Sequence, residues 1–140
     1  MRNLAKLLDA QLRIIGIQGS EWNVPEELGM SPGPIGFLHA FRDADYIVTN
    51  SFHGTVFSLV FQKRFLTMRQ EGENAESQNI RAEELLGRIG LDERLHDLYS
   101  SQEMAANLEI SCDWIHTAQA IESWRRDSVD WLVQQLQAVG

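Results

Sequence analysis

One short stretch combines most of the side chains in this sequence that could do chemistry. Ser51, His53, Gly54 and Thr55 follow directly on the apolar run Tyr46-Ile47-Val48-Thr49. An imidazole donates, accepts or transfers a proton near neutral pH. A serine hydroxyl caps a helix. A glycine removes the Cβ that would block the close approach of a ligand. A helix opening here turns unpaired backbone N–H groups and the positive end of its dipole outward. Those features suit a phosphate or a carboxylate. A capped helix with an incidental histidine would carry the same residues, so spacing alone leaves both readings open. A nearby cation would complete an anion site. Residues 61–88 supply Lys63, Arg64, Arg69, Arg81 and Arg88, offset by five glutamates. Arg81 and Lys63 are the candidates, Arg81 first, because a guanidinium grips an oxyanion in two places.

Other reactive residues point elsewhere. His39, His96 and His116 lack metal-ligand spacing, so no metal is expected. Cys112 is the only cysteine and has no basic neighbour in sequence. It is expected as a packed small residue, and a lone thiol fits a reducing compartment. Asp43 is expected to end a helix and Asp45 to open a strand. Trp114, Trp124 and Trp131 recur at near-helical spacing. Packing is their default role, whereas an exposed stripe would mark the docking surface of a partner half.

These residues must be held by a chain of 140 residues with a net charge of −8. Residues 1–60 carry −2, residues 61–88 are neutral, and residues 89–140 carry −6. That balance argues against nucleic acid and anionic membrane surfaces, both of which need clustered Lys and Arg. No apolar run reaches 18 residues, so no transmembrane span is expected. The opening Met1-Arg2-Asn3-Leu4-Ala5-Lys6 lacks the pattern of a secretory signal. The expectation is one soluble, cytoplasmic domain over residues 1–140.

The positioning elements follow from periodicity and punctuation. Asn3 to Gln11 has helical spacing, and Arg13 to Ile17 reads as a strand. All three prolines fall in residues 18–34, a loop, with Ser31-Pro32 fit to open the next helix over residues 35–43. Asp45 to Asn50 is a buried strand, Ser51 to Gly54 a turn, and Thr55 to Gln62 a buried helix. Arg64 to Met68 is a third strand. Gln70 to Gln78 reads as a polar loop and Asn79 to Ile89 as a helix with Ile80, Leu85, Leu86 and Ile89 inward, stopped by Gly90. Leu91 to Tyr99 reads as a short helix. A long final helix over 115–139, opening at Trp114, carries Ile121, Trp124, Val129, Leu132 and Leu136 as its stripe. The alternation predicts an α/β fold, a Rossmann-like parallel sheet with flanking helices. In such a sheet the strands near 13–17, 45–50 and 64–68 are neighbours, and ligands bind beyond their carboxyl ends, where residues 51–54 lie.

The run DADYIVTNSFHGTVFSLVFQKRF at 43–65 resembles the polysaccharide pyruvyl transferase family, whose members carry a stretch like ADYVVTDSFHGTVFSLIFGKPF. Ser31-Pro32, the segment Asn79-Ile80-Arg81, Leu85-Leu86, Gly90 to Arg94, and Arg126, Ser128 and Leu132 are similar to further family segments. The likeness spans about residues 30–135. Asn50 stands where the family often has Asp, and Arg64 where it usually has Pro. The resemblance implies the C-terminal half of a two-domain, glycosyltransferase-B-like enzyme. Its substrates would be phosphoenolpyruvate and a saccharide acceptor of a cell-surface or exopolysaccharide, and its partner the N-terminal half. No cofactor is implied. His53 would act as general acid, with Ser51, Gly54, Thr55, Lys63 and Arg81 binding the donor. The alternatives are a non-catalytic anion-binding module of the same fold, or a nucleotide-sugar-binding glycosyltransferase half. In each case this chain alone is expected to be catalytically silent.

Overall fold

The computed structural model describes residues 1–15, 29–30, 33–72, 75–97 and 100–138. Its helices are α1 (Arg2–Leu7), α2 (Pro34–Asp43), α3 (Phe52–Val60), α4 (Ala75–Arg88), α5 (Ser101–Glu109) and α6 (Trp114–Ala138). Its strands are β1 (Ile14–Ile15), β2 (Gly29–Met30), β3 (Tyr46–Thr49), β4 (Arg64–Met68) and β5 (Leu95–His96). A 3₁₀ turn at Asp92–Arg94 leads into β5.

The central sheet has the order β3-β4-β5 and is parallel throughout. Its register sets Tyr46 against Arg64, Thr49 against Thr67, and Met68 against His96. β4 is the middle strand, and its pleat sends successive side chains to opposite faces. Phe65 enters the larger core with Phe41, Ile47, Leu59, Leu86, Ile89 and Leu91. Leu66 enters the second with Leu4, Met104 and Leu108. Helices α2, α3 and α4 therefore cover one face, and α1 and α5 the other. A sheet covered on both faces explains why Phe65 and Leu66 are both buried despite being adjacent.

Arg94 fixes α5 onto this frame. Its side chain is buried, yet its Nη1 and Nη2 donate to the carbonyls of Asn107 and Ile110 at 3.0 and 2.7 Å. Those carbonyls close a helix that has no turns beyond them. At the other end Ser100 and Glu103 form a reciprocal capping box. Cys112 is half-buried against the larger core, and burial pushes its thiol up.

The structure corrects several sequence expectations. β1 pairs with β2, in parallel, and not with the central sheet. The third central strand is β5, at residues expected to be helical. Two residues are too short for a period-two pattern to stand out, and the charged Arg94 beside them is buried with its Nη1 and Nη2 held by the Asn107 and Ile110 carbonyls. Helix α4 opens at Ala75, inside the expected polar loop; Glu76 and Ser77 face solvent and its first turn has no apolar residue but Ala75, so no helical stripe marks the start. Ile80, expected inward, is exposed. Helix α2 is capped at Gly33 with Pro34 in its first turn, whereas Ser31-Pro32 lie outside the described residues. The strand end at Gly16 and Ile17 and most of the loop at 18–34 also lie outside them. Helix α3 begins at Phe52, so the expected turn is its first turn. Helix α6 buries only Thr117 fully, and its expected apolar stripe is mostly open: Ile121, Val129, Leu132 and Leu136 are exposed. No helix among the described residues is long and apolar enough to cross a membrane.

Candidate functional site

Strand β3 ends at Thr49, the chain turns through Asn50 and Ser51, and α3 begins at once. Thr49 and Ser51 build that turn between them. Thr49 Oγ1 accepts the N–H of Ser51 at 3.1 Å, and Ser51 Oγ accepts the N–H of Gly54 at 3.4 Å. Ser51 is the N-cap, in extended conformation. A helix leaves its first N–H groups without intrahelical partners. Here the cap takes Gly54, and the amides of Phe52 and His53 have no partner among the described residues. They open at the carboxyl edge of the sheet together with the positive end of the α3 dipole. His53 is exposed, its ring edge-on to Phe52 with centroids 6.2 Å apart.

Arg81 reaches this edge from α4. Its guanidinium lies over the Phe52 ring, 4.1 Å from the centroid. One face of the cation is thereby covered, while its edge keeps N–H donors for an oxyanion. Its only described hydrogen bond is a long one to Gln78 Oε1, at 3.5 Å, and it forms no ion pair among the described residues. Arg69, at the end of β4, is already committed: it pairs with Glu83 and, at 3.5 Å, with Asp97. The loop after β4 is pinned from two sides. Asn79 accepts from the Gln70 backbone N–H at 2.8 Å and donates to the Gln70 carbonyl at 3.1 Å. Gln70 Nε2 in turn donates to the Asn50 carbonyl at 2.6 Å. The ends of β3 and β4 and the start of α4 are thus tied beside the open amides.

The expected site residues separate on this geometry. Ser51, His53 and Arg81 are together at the carboxyl edge. Thr55 is fully buried: its hydroxyl shares a 2.8 Å hydrogen bond with Thr67 and donates to the Ser51 carbonyl, and its N–H returns to the same carbonyl. It ties α3 to β4 and has nothing left for a ligand. Gly54 is needed for a different reason from the one its place in the sequence suggests. A Cβ there would lie 2.2 Å from Thr49 Oγ1 and 2.9 Å from Thr49 Cβ. The missing side chain lets α3 sit on the end of β3, and does not open a path for a ligand. Lys63 lies at the far edge. It precedes β4, whose Arg64 is level with Tyr46 at the start of β3, and the Asp43 carboxyl, lowered chiefly by its hydrogen bond from Arg42, feels Lys63 only as the smallest contribution. A strand's length, about 13 Å for four residues, separates Lys63 from the turn. Phe52, Gln70 and Asn79 are the contributors that sequence reasoning passes over. An aromatic residue beside the histidine was the one available signal.

Residues 8–71 match the family model for polysaccharide pyruvyl transferase. No curated protein and no solved structure matches the chain. The matched segment takes in β1 to β4 with α2 and α3, and so includes Ser51, His53 and Gly54. It ends before α4, so Arg81 joins the site from outside the matched stretch.

Proposed function

We propose that this chain is the donor-binding, C-terminal half of a two-domain, glycosyltransferase-B-like polysaccharide pyruvyl transferase acting in the cytoplasm. The carrying observation is that the open amides of Phe52 and His53, the exposed imidazole and the Arg81 guanidinium all flank one side chain, Phe52, at the carboxyl edge of the sheet. The match of residues 8–71 to the polysaccharide pyruvyl transferase family supports the same reading.

In this reading the amides and Arg81 hold the anionic groups of phosphoenolpyruvate. His53 protonates the methylene carbon, and positive charge develops at the enol carbon. One acceptor hydroxyl bonds to that carbon, the C–O bond to phosphate breaks, and a second hydroxyl closes the ketal. The hydroxyl protons leave to base or solvent. Transfer needs the saccharide held against the donor, which is work for two halves acting together. One helix N-terminus and one cation are worth only a few kcal/mol, which puts donor affinity for the single half on the order of millimolar.

A thermal-shift titration tests this against its rivals. Phosphoenolpyruvate at about ten times its Kd stabilises the fold by about 1.4 kcal/mol, and Arg81→Ala abolishes the shift. Stabilisation by nucleotide sugars instead would favour a glycosyltransferase half. Stabilisation by neither would leave a docking module.

A further inference from the structure

Helix α4 carries a second stacked arginine. Arg88 stands seven residues beyond Arg81, on the same helix face and about 10 Å along the axis. Its guanidinium lies over the Trp124 ring of α6, 4.8 Å from the centroid. Trp131 stands seven residues beyond Trp124, again on the same face and about 10 Å on. Between the two indoles, on the same side of α6, are Asp127 and Ser128. Arg88, Trp124, Asp127, Ser128 and Trp131 line one open cleft of about 400 Å³. Trp124 is half-buried, and Trp131 is 62% exposed.

We propose that this cleft binds a short neutral saccharide. Sugars are amphipathic in a particular way: one face of the ring presents C–H groups and the rim presents hydroxyls. Indole faces carry a negative quadrupole that attracts polarised C–H groups; Arg88 already covers one face of Trp124, so the exposed Trp131 ring is the main platform. Asp127 accepts hydroxyl protons, Arg88 donates to hydroxyl oxygens, and Ser128 does either. Two indoles set two turns apart on one helix face suit an oligosaccharide better than a single ring. An anionic ligand is disfavoured, because Asp127 lies in the cleft and residues 89–140 carry −6. A wholly apolar occupant is disfavoured as well, since it would strip water from Arg88, Asp127 and Ser128 without replacing their hydrogen bonds. Arg81 at the anion site and Arg88 at the cleft stand on one helix, two turns and about 10 Å apart along its axis. The cleft's role as the acceptor subsite rests on the pyruvyl-transfer reading, whereas saccharide binding itself does not.

The test uses the full chain labelled with nitrogen-15 and follows the indole N–H signals, assigned by Trp→Phe substitution. Maltotriose and cellotriose are titrated to about 50 mM, since open clefts bind sugars at around millimolar Kd. The Trp124 and Trp131 signals move saturably with at least one of them, while Trp114 stays still. Trp131→Ala weakens binding at least tenfold, Trp131→Phe retains most of it, and Asp127→Asn weakens it severalfold. Trp131→Ala leaves the backbone shifts that phosphoenolpyruvate causes at His53 unchanged. Sugar binding without phosphoenolpyruvate binding overturns the transfer reading and leaves the cleft standing, and the converse does the reverse. The cleft proposal is overturned if neither sugar moves the two indoles, or if Trp131→Ala binds as the native chain does. It is also overturned if those signals change only with protein concentration, which would mark the cleft as a protein-docking surface.

Discussion

Replacing Gly54 with alanine separates a packing glycine from a ligand-access glycine. The added methyl would lie 2.2 Å from Thr49 Oγ1, 2.9 Å from its Cβ and 3.1 Å from its Cγ2. Real Cβ atoms do not approach that closely, so Thr49 or the whole first turn of α3 must shift. Thr49 has little freedom, because its hydroxyl accepts the Ser51 N–H that sets the cap. Overpacking of this kind costs about 1–3 kcal/mol. Losing the cap adds about 1 kcal/mol, and the better helix propensity of alanine returns about the same amount. The net expectation is a loss of about 2 kcal/mol, read as a fall of roughly 5–10 °C in Tm and a lower urea midpoint with an unchanged m-value. Thr49→Ala in the same chain removes the Oγ1 and Cγ2 that collide and leaves only the Cβ contact at 2.9 Å, so the double variant should be more stable than the two single losses added together. A Gly54→Ala protein as stable as the native chain, or additive losses in the double variant, would refute the packing account. A loss of phosphoenolpyruvate binding with stability intact would restore the ligand-access reading.

Other perturbations probe other contacts. Arg94→Ala leaves the Asn107 and Ile110 carbonyls without their donor, and should cost about 2–4 kcal/mol in urea melts, with α5 amides exchanging fastest. His96 is buried, and that burial lowers its pKa. The unfolded chain therefore binds its proton first as pH falls, so His96 stabilises fully above about pH 6.5 and loses that contribution below it. His96→Leu should flatten the dependence of Tm on pH between about 5.5 and 7, and an unchanged slope would count against this. His53→Ala should leave Tm unchanged, because the ring is exposed. In the assembled two-half enzyme it should cut pyruvyl transfer by roughly 10²–10⁴, and full retention of turnover would remove His53 from the chemistry.

The unit β3-α3-β4 is readable from sequence because its strands and helix are apolar nearly throughout and are bounded by Asn50-Ser51 and Lys63. Buried elements with clear stops leave few alternatives. The elements that escape are those whose pattern is too short or too polar to register. β5 is two residues long, and the first turn of α4 carries Glu76, Ser77 and Gln78. The site divides in the same way. Ser51 and His53 follow from their place at a strand's carboxyl end, and Arg81 from its chemistry. Lys63 misleads because ten residues from His53 looks close. In a parallel crossover the residue that enters the next strand is necessarily at the opposite edge of the sheet. Thr55 misleads because a hydroxyl beside a helix start looks free, whereas helical rotation turns it onto Thr67. The openness of the far half of α6 is invisible in sequence, since an apolar stripe reads alike whether or not anything covers it.

The central claim is that an oxyanion binds at the first turn of α3 with Arg81 beside it. Its most direct test is a backbone and arginine side-chain NMR titration with phosphoenolpyruvate against potassium chloride of equal ionic strength. The account predicts saturable shifts, with Kd on the order of millimolar, at the amides of Phe52 and His53 and at the Arg81 guanidinium. Those shifts should be absent with chloride and lost in Arg81→Ala. Shifts centred on Lys63 at the opposite edge, or none at Phe52 and His53 at saturating phosphoenolpyruvate, would contradict it.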